Sequence, residues 1–147
     1  MIPRPVSIAF IVPALASGAV LTSSGAAVAV PRPFAANLSG ANEVPPGNPR
    51  LTGRAAVTID AATGQVCSRV TTNVRGAVAM HIHRGVRGVN GPVVVPLNIR
   101  SINGPRVCVR ATVVVARAIS ANPARFYVNI HTPAAPGGAV RGQLVRA

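Results

Sequence analysis

From Phe34 onward the chain is punctuated too often for long helices. Short runs that alternate apolar and polar residues are separated by glycine, proline and Asn-Gly signals. A period of two sends successive side chains to opposite faces of a strand, and turn residues at such intervals point to an all-β sandwich or barrel. The runs fall at Phe34–Leu38, Ala55–Asp60, Gln65–Val74, Val78–His83, Val93–Leu97, Val107–Val115, Phe126–His131 and Ala139–Val145. Gly40–Pro49 must be loop, because three prolines and two glycines exclude a central strand. Asp60–Gly64 reads as a hairpin turn and Asn103-Gly104 as another tight turn. Ala116–Ala124 is the one place for a short helix, ended near Pro123. The expected fold is an antiparallel β-sandwich or barrel of about eight short strands.

The region before this pattern reads as an address. Arg4 is followed by an uncharged, mostly apolar stretch from Ser7 to Leu21, then by small residues ending in Ala27-Val28-Ala29. That order is the n-, h- and c-region order of a secretory signal peptide, with cleavage expected after Ala29. The alternative is a membrane anchor; the run contains Pro13 and Gly18 and is short for a span. The expected organisation is a signal peptide over 1–29, a short lead-in over 30–33 and a single domain over 34–147. The expected location is outside the cell or at its envelope.

Charge narrows the chemistry. All fifteen basic residues are arginine, against only Glu43 and Asp60, for a formal net charge of +13. Without lysine there is no Walker-type phosphate loop and no Schiff-base chemistry. Two carboxylates cannot furnish a carboxylate-rich calcium loop, and no G-x-S-x-G nucleophile elbow occurs. An arginine-only habit beside abundant Ala, Val, Gly and Pro also looks like the codon bias of a GC-rich genome, so part of the charge carries no functional meaning.

Cys67 and Cys108 are the only cysteines. In an oxidising compartment a disulfide is the default, with two free thiols as the alternative. Cys67 shares its strand face with Arg69 and Thr71, and Cys108 shares its face with Arg110 and Thr112. The bridge is therefore expected on the outward side of two strands, with Val66, Val70, Val107 and Val109 facing the core.

The three histidines are His81, His83 and His131. On a strand, His81 and His83 share one face and leave Met80 and Ile82 to the core. In Phe126–His131 the apolar Phe126, Val128 and Ile130 face inward, which puts Tyr127, Asn129 and His131 opposite. All three imidazoles then lie on non-core faces, where neighbouring strands would bring them together. Three imidazoles with an open fourth position suit one copper or zinc ion. The competing reading is that a strand-end histidine donates to a loop carbonyl and orders the turns at Arg84-Gly85 and Asn90-Gly91.

Four segments read together: Asn37–Gly40 with Glu43-Val44-Pro45-Pro46; His81-Ile82-His83-Arg84-Gly85 with Gly88–Val94; Phe126–Thr132; and Gly137–Leu144, which holds Arg141 and Gln143. In this order they closely resemble the CHRD domain, named for its repeats in chordin and found also as single-domain secreted bacterial proteins. The resemblance spans about Phe34 to Val145 and implies an extracellular all-β domain. Within its motifs Glu43, Arg84, Gly85, Asn90, Gly91, Asn129, Arg141 and Gln143 are expected to be structural. Glu43 is expected either to pair with Arg141, with loop amides on its remaining lone pairs, or to be solvated.

Three functional readings follow. The first is a non-enzymatic structural or binding domain, acting on an extracellular or envelope ligand. The second is a mononuclear copper or zinc protein using His81, His83 and His131; superoxide dismutase-like chemistry is its enzymatic form. The third is arginine-mediated binding of anionic polymers or lipids. Scarce aromatics argue against a stacking platform for nucleic acid.

Overall fold

The computed structural model describes residues 30–147, so the expected signal peptide lies outside the described residues. Among the described residues nine strands form one antiparallel sheet: β1 (Arg32–Ser39), β2 (Thr52–Ile59), β3 (Gln65–Thr72), β4 (Ala79–Arg84), β5 (Val93–Leu97), β6 (Val107–Arg110), β7 (Phe126–Thr132), β8 (Ala135–Gln143) and β9 (Val145–Arg146). Their spatial order is β5-β4-β7-β8-β1-β2-β3-β6, with β9 paired to β1. The ends of that path, β5 and β6, lie beside each other, so the sheet curls into a nearly closed barrel.

Alternation fills the barrel. Phe34, Val57, Ile59, Val66, Val70, Met80, Ile82, Val128 and Ile130 all point inward and are fully buried. Removing such side chains from water supplies most of the folding drive in a small domain. The helix α1 (Val113–Ala121) joins this core through Ala116 and Ile119, buried one turn apart.

Three boundaries differ from the sequence pattern. The run expected as strand from Val107 to Val115 stops at Arg110, and Val113-Val114-Val115 opens the helix instead. Thr112 caps it, its hydroxyl accepting from the Val115 N–H at 3.2 Å. The helix therefore covers Val113–Ala121, not Ala116–Ala124, and a separate single turn, Pro123–Arg125, follows it. Tertiary burial of Ala116 and Ile119 outweighs the weak strand preference of three valines. β8 also starts earlier than expected, at Ala135, running through Pro136, Gly137 and Gly138. β1 begins at Arg32, inside the expected lead-in.

The bridge joins Cys67 and Cys108, which sit directly opposite each other on β3 and β6. Val66 is buried inside while Cys108 is exposed, so the disulfide lies on the barrel's outward side.

Candidate metal centre

The outward faces of β4, β7 and β8 carry a second buried layer, made of polar residues. In β7 both faces are covered: Phe126, Val128 and Ile130 inside, Tyr127 and Asn129 outside. Two loops provide the outer cover. The 40–49 loop is held where the Asn42 side-chain amide donates to the Arg141 carbonyl at 3.3 Å and the Asn90 amide donates to the Val44 carbonyl at 2.9 Å. The 85–92 loop is held by Gln143, whose amide donates to the Gly85 carbonyl at 2.6 Å.

Between these loops the buried acid meets the buried base. Arg141 Nε donates to Glu43 Oε2 at 2.6 Å, with the two side chains 6% and 3% exposed. The other carboxylate oxygen accepts from Asn129 Nδ2 at 2.6 Å, so a side-chain amide, not a loop N–H, takes the second oxygen. Arg141 Nη2 donates to Asn90 Oδ1 at 2.7 Å. Burial pushes the Glu43 carboxyl up, opposed by its bonds to Arg141 and Asn129. Gly138 makes room for this cluster: a Cβ there would stand 2.6 Å from Glu43 Oε2, on backbone at φ +138°. Arg84 stands apart, its guanidinium 5.7 Å from the Phe126 ring centroid.

The histidines occupy the same layer. β4 and β7 pair antiparallel, with His81 opposite Asn129 and His83 opposite Tyr127. Ring centroids are 5.0 Å apart for His81 and His131, 5.5 Å for His81 and His83, and 5.9 Å for His83 and His131. One nitrogen from each ring lies within 4.8 Å of the others. Tetrahedral ligands about 2.0–2.1 Å from a zinc ion stand roughly 3.3 Å apart, so side-chain adjustments of an ångström or so would close the set.

The hydrogen bonds decide which nitrogens are available. His83 Nδ1 is 2.9 Å from the Gly91 carbonyl, and His131 Nδ1 is 3.0 Å from the Pro136 carbonyl. A carbonyl only accepts, so each Nδ1 carries the proton and each Nε2 of the neutral ring keeps a lone pair. Both Nε2 atoms are buried with no hydrogen-bond partner among the described residues, as is His81 Nδ1. The loop-ordering and ligand readings of these residues are thus compatible. One ring nitrogen orders a loop, and that bond orients the other toward the cluster.

Burial holds His81 below the ordinary imidazole range, and the neighbouring His131 and His83 add to the effect. Burial also lowers His83, against the raising influence of its Gly91 bond. Both shifts favour the neutral rings that metal binding requires. His81 also borders an open depression with Val78 and Pro96.

Tyr127 is a contributor that the motif reading did not single out. Its ring stacks on His83 at 4.9 Å and 6°, and the Arg141 guanidinium sits over the same ring, 4.6 Å from its centroid. Its hydroxyl accepts from the Gly91 N–H at 3.2 Å, so Tyr127 and His83 hold the same loop residue. The alternation that places Tyr127 beside Asn129 and His131 was the available signal.

A family model described as CHRD domain matches residues 34–144. No curated protein and no solved structure matches the chain.

Proposed function

The chain belongs to the CHRD domain family, and from that premise we propose that it is an exported, non-enzymatic binding domain that holds one copper or zinc ion at His81, His83 and His131. The family supports a β domain of a structural or binding kind. Its members are typically extracellular, and the Cys67–Cys108 bridge is compatible with that location.

One observation carries the metal reading: the three rings each place a nitrogen within 4.8 Å of the others, and each ring has a buried nitrogen with no hydrogen-bond partner among the described residues, two of these rings being oriented by backbone carbonyls. A buried polar atom without a partner costs free energy. An ion shared among the three would remove that cost and leave a fourth coordination position unfilled by histidine. Non-enzymatic binding is the better reading because both acids are already engaged. Glu43 is held by Arg141 and Asn129, and Asp60 accepts from the Ala62 and Thr63 N–H groups of its own turn.

The test is metal analysis and titration calorimetry on the chain from Val30 to Ala147. The expected result is one copper or zinc ion per chain, with His83→Ala and His131→Ala each abolishing binding while the disulfide stays formed. A wild-type chain that neither binds nor is thermally stabilised by either ion refutes the reading.

A further inference from the structure

The fold gathers arginines that are scattered along the sequence. On β2 and β3, Arg54 lies opposite Thr71, and Arg69 lies opposite Ala56. These two arginines are diagonal neighbours on the outward face, with Cα atoms about 7–8 Å apart. Arg106, just before β6, shares the outward parity of Cys108 and extends the row toward that strand, while Arg110, opposite Gln65, stands at the far end of the same face. All four are exposed.

The row is ordered as well as charged. Arg106 donates to the Thr58 hydroxyl, so its side chain lies across β3 rather than projecting into solvent. Arg110 Nη1 donates to the Thr63 carbonyl at 2.9 Å. A shallow open groove runs beside Arg54 and Arg69, floored by Gly53 and Ala56 and bordered by Thr52 and Thr71. The bridge between β3 and β6 stiffens the same face.

Asp60 feels the charge of Arg110, but no acid among the described residues forms an ion pair with Arg54, Arg69 or Arg106. The chain's two carboxylates are Glu43, buried against Arg141, and Asp60, held in its turn. A surface that serves solubility alone interleaves both signs; this one leaves its arginines to find counterions outside the molecule. Among the side chains named, none is aromatic and none is a large exposed hydrophobe. That argues against base stacking and against insertion into a lipid surface. Guanidinium forks over threonine hydroxyls match carboxylates or sulfates carried on a hydroxyl-rich backbone.

We propose that the outward face of β2, β3 and β6, centred on Arg54 and Arg69, is a binding surface for an extended acidic polysaccharide. The face is separate from the histidine cluster, so the two sites function and fail independently.

The test uses the chain from Val30 to Ala147 with alginate, a polyuronate, as the probe. Neutral dextran, single-stranded DNA and phosphatidylcholine vesicles containing phosphatidylglycerol serve as comparisons. The expected result is salt-dependent alginate binding with no binding to dextran. Arg54→Ser/Arg69→Ser should weaken it about tenfold or more, as loss of two charge-assisted contacts would. Arg100→Ser/Arg125→Ser removes the same charge elsewhere and should leave affinity within about twofold. His83→Ala should bind alginate like the wild type. Absence of alginate binding, equal losses in the two arginine variants, or stronger binding to DNA or vesicles than to alginate each overturns the proposal. Unchanged melting temperatures confirm that the variants report on the surface, and Arg106→Gln provides a second variant on the same face.

Discussion

Replacing Glu43 by glutamine should be among the most damaging near-isosteric changes in this protein. The carboxylate accepts at both oxygens, from Arg141 Nε and from Asn129 Nδ2, each at 2.6 Å. Glutamine offers one acceptor and one donor, so one of the two incoming N–H groups would face another N–H. The Arg141 charge would also stay buried without its counterion. Removing one partner of a buried ion pair costs about 3–5 kcal/mol. At this chain length roughly 4 °C of melting temperature accompanies each kcal/mol, so a loss of about 12–20 °C is expected. Burial raises the Glu43 carboxyl despite the pair, which means desolvation offsets much of the attraction. Glu43→Leu with Arg141→Met should therefore be distinctly more stable than the summed single losses. Urea unfolding of the wild type, both single variants and the double variant measures the coupling. Strict additivity, or a Glu43→Gln loss below about 1 kcal/mol, would show that the pair is not a coupled buried interaction.

Other predictions follow from the same geometry. Gly138→Ala should destabilise strongly and loosen the 40–49 loop, because its Cβ would meet Glu43 and Asn129; hydrogen exchange over that loop reads the effect. Cys67→Ala/Cys108→Ala should cost up to roughly 4 kcal/mol on the chain-entropy model, measured as a shift in denaturant midpoint. Without metal, stability should fall as pH drops below the ordinary imidazole value of 6.5. There the unfolded chain takes up protons at His81 and His83 before the folded chain does. The decline should continue to the lowered folded values, and metal-dependent stabilisation should vanish over the same window. Thr112→Ala should cost about 1 kcal/mol through loss of the helix cap.

Much of the centre was legible because strand alternation is local. Once β4 and β7 were read as strands, Met80, Ile82, Val128 and Ile130 had to face one way and the histidines the other. Alternation does not say how deeply the second face is covered. That depends on the 40–49 and 85–92 loops, whose docking rests on contacts between residues far apart in sequence, such as Asn90 with Val44 and Gln143 with Gly85. The carbonyls of Gly91 and Pro136 that orient the histidines leave no side-chain signature at all. The Val113–Val115 run was misread as strand for a related reason. Its conformation follows from the burial of Ala116 and Ile119 in the core, and no short window of sequence contains that information.

The position of the disulfide has a consequence for how the chain is tied together. Cys67 and Cys108 enclose a covalent ring, and β4 and β5 lie within it. His81 and His83 are thus inside the ring, whereas His131 lies outside it. An ion held by all three would lash the ring to the C-terminal strands, adding a second closed circuit that shares a segment with the first. The ion would tie β4 directly to β7, a link that the bridge between β3 and β6 does not make, so metal removal alone would return that pair to its strand hydrogen bonds.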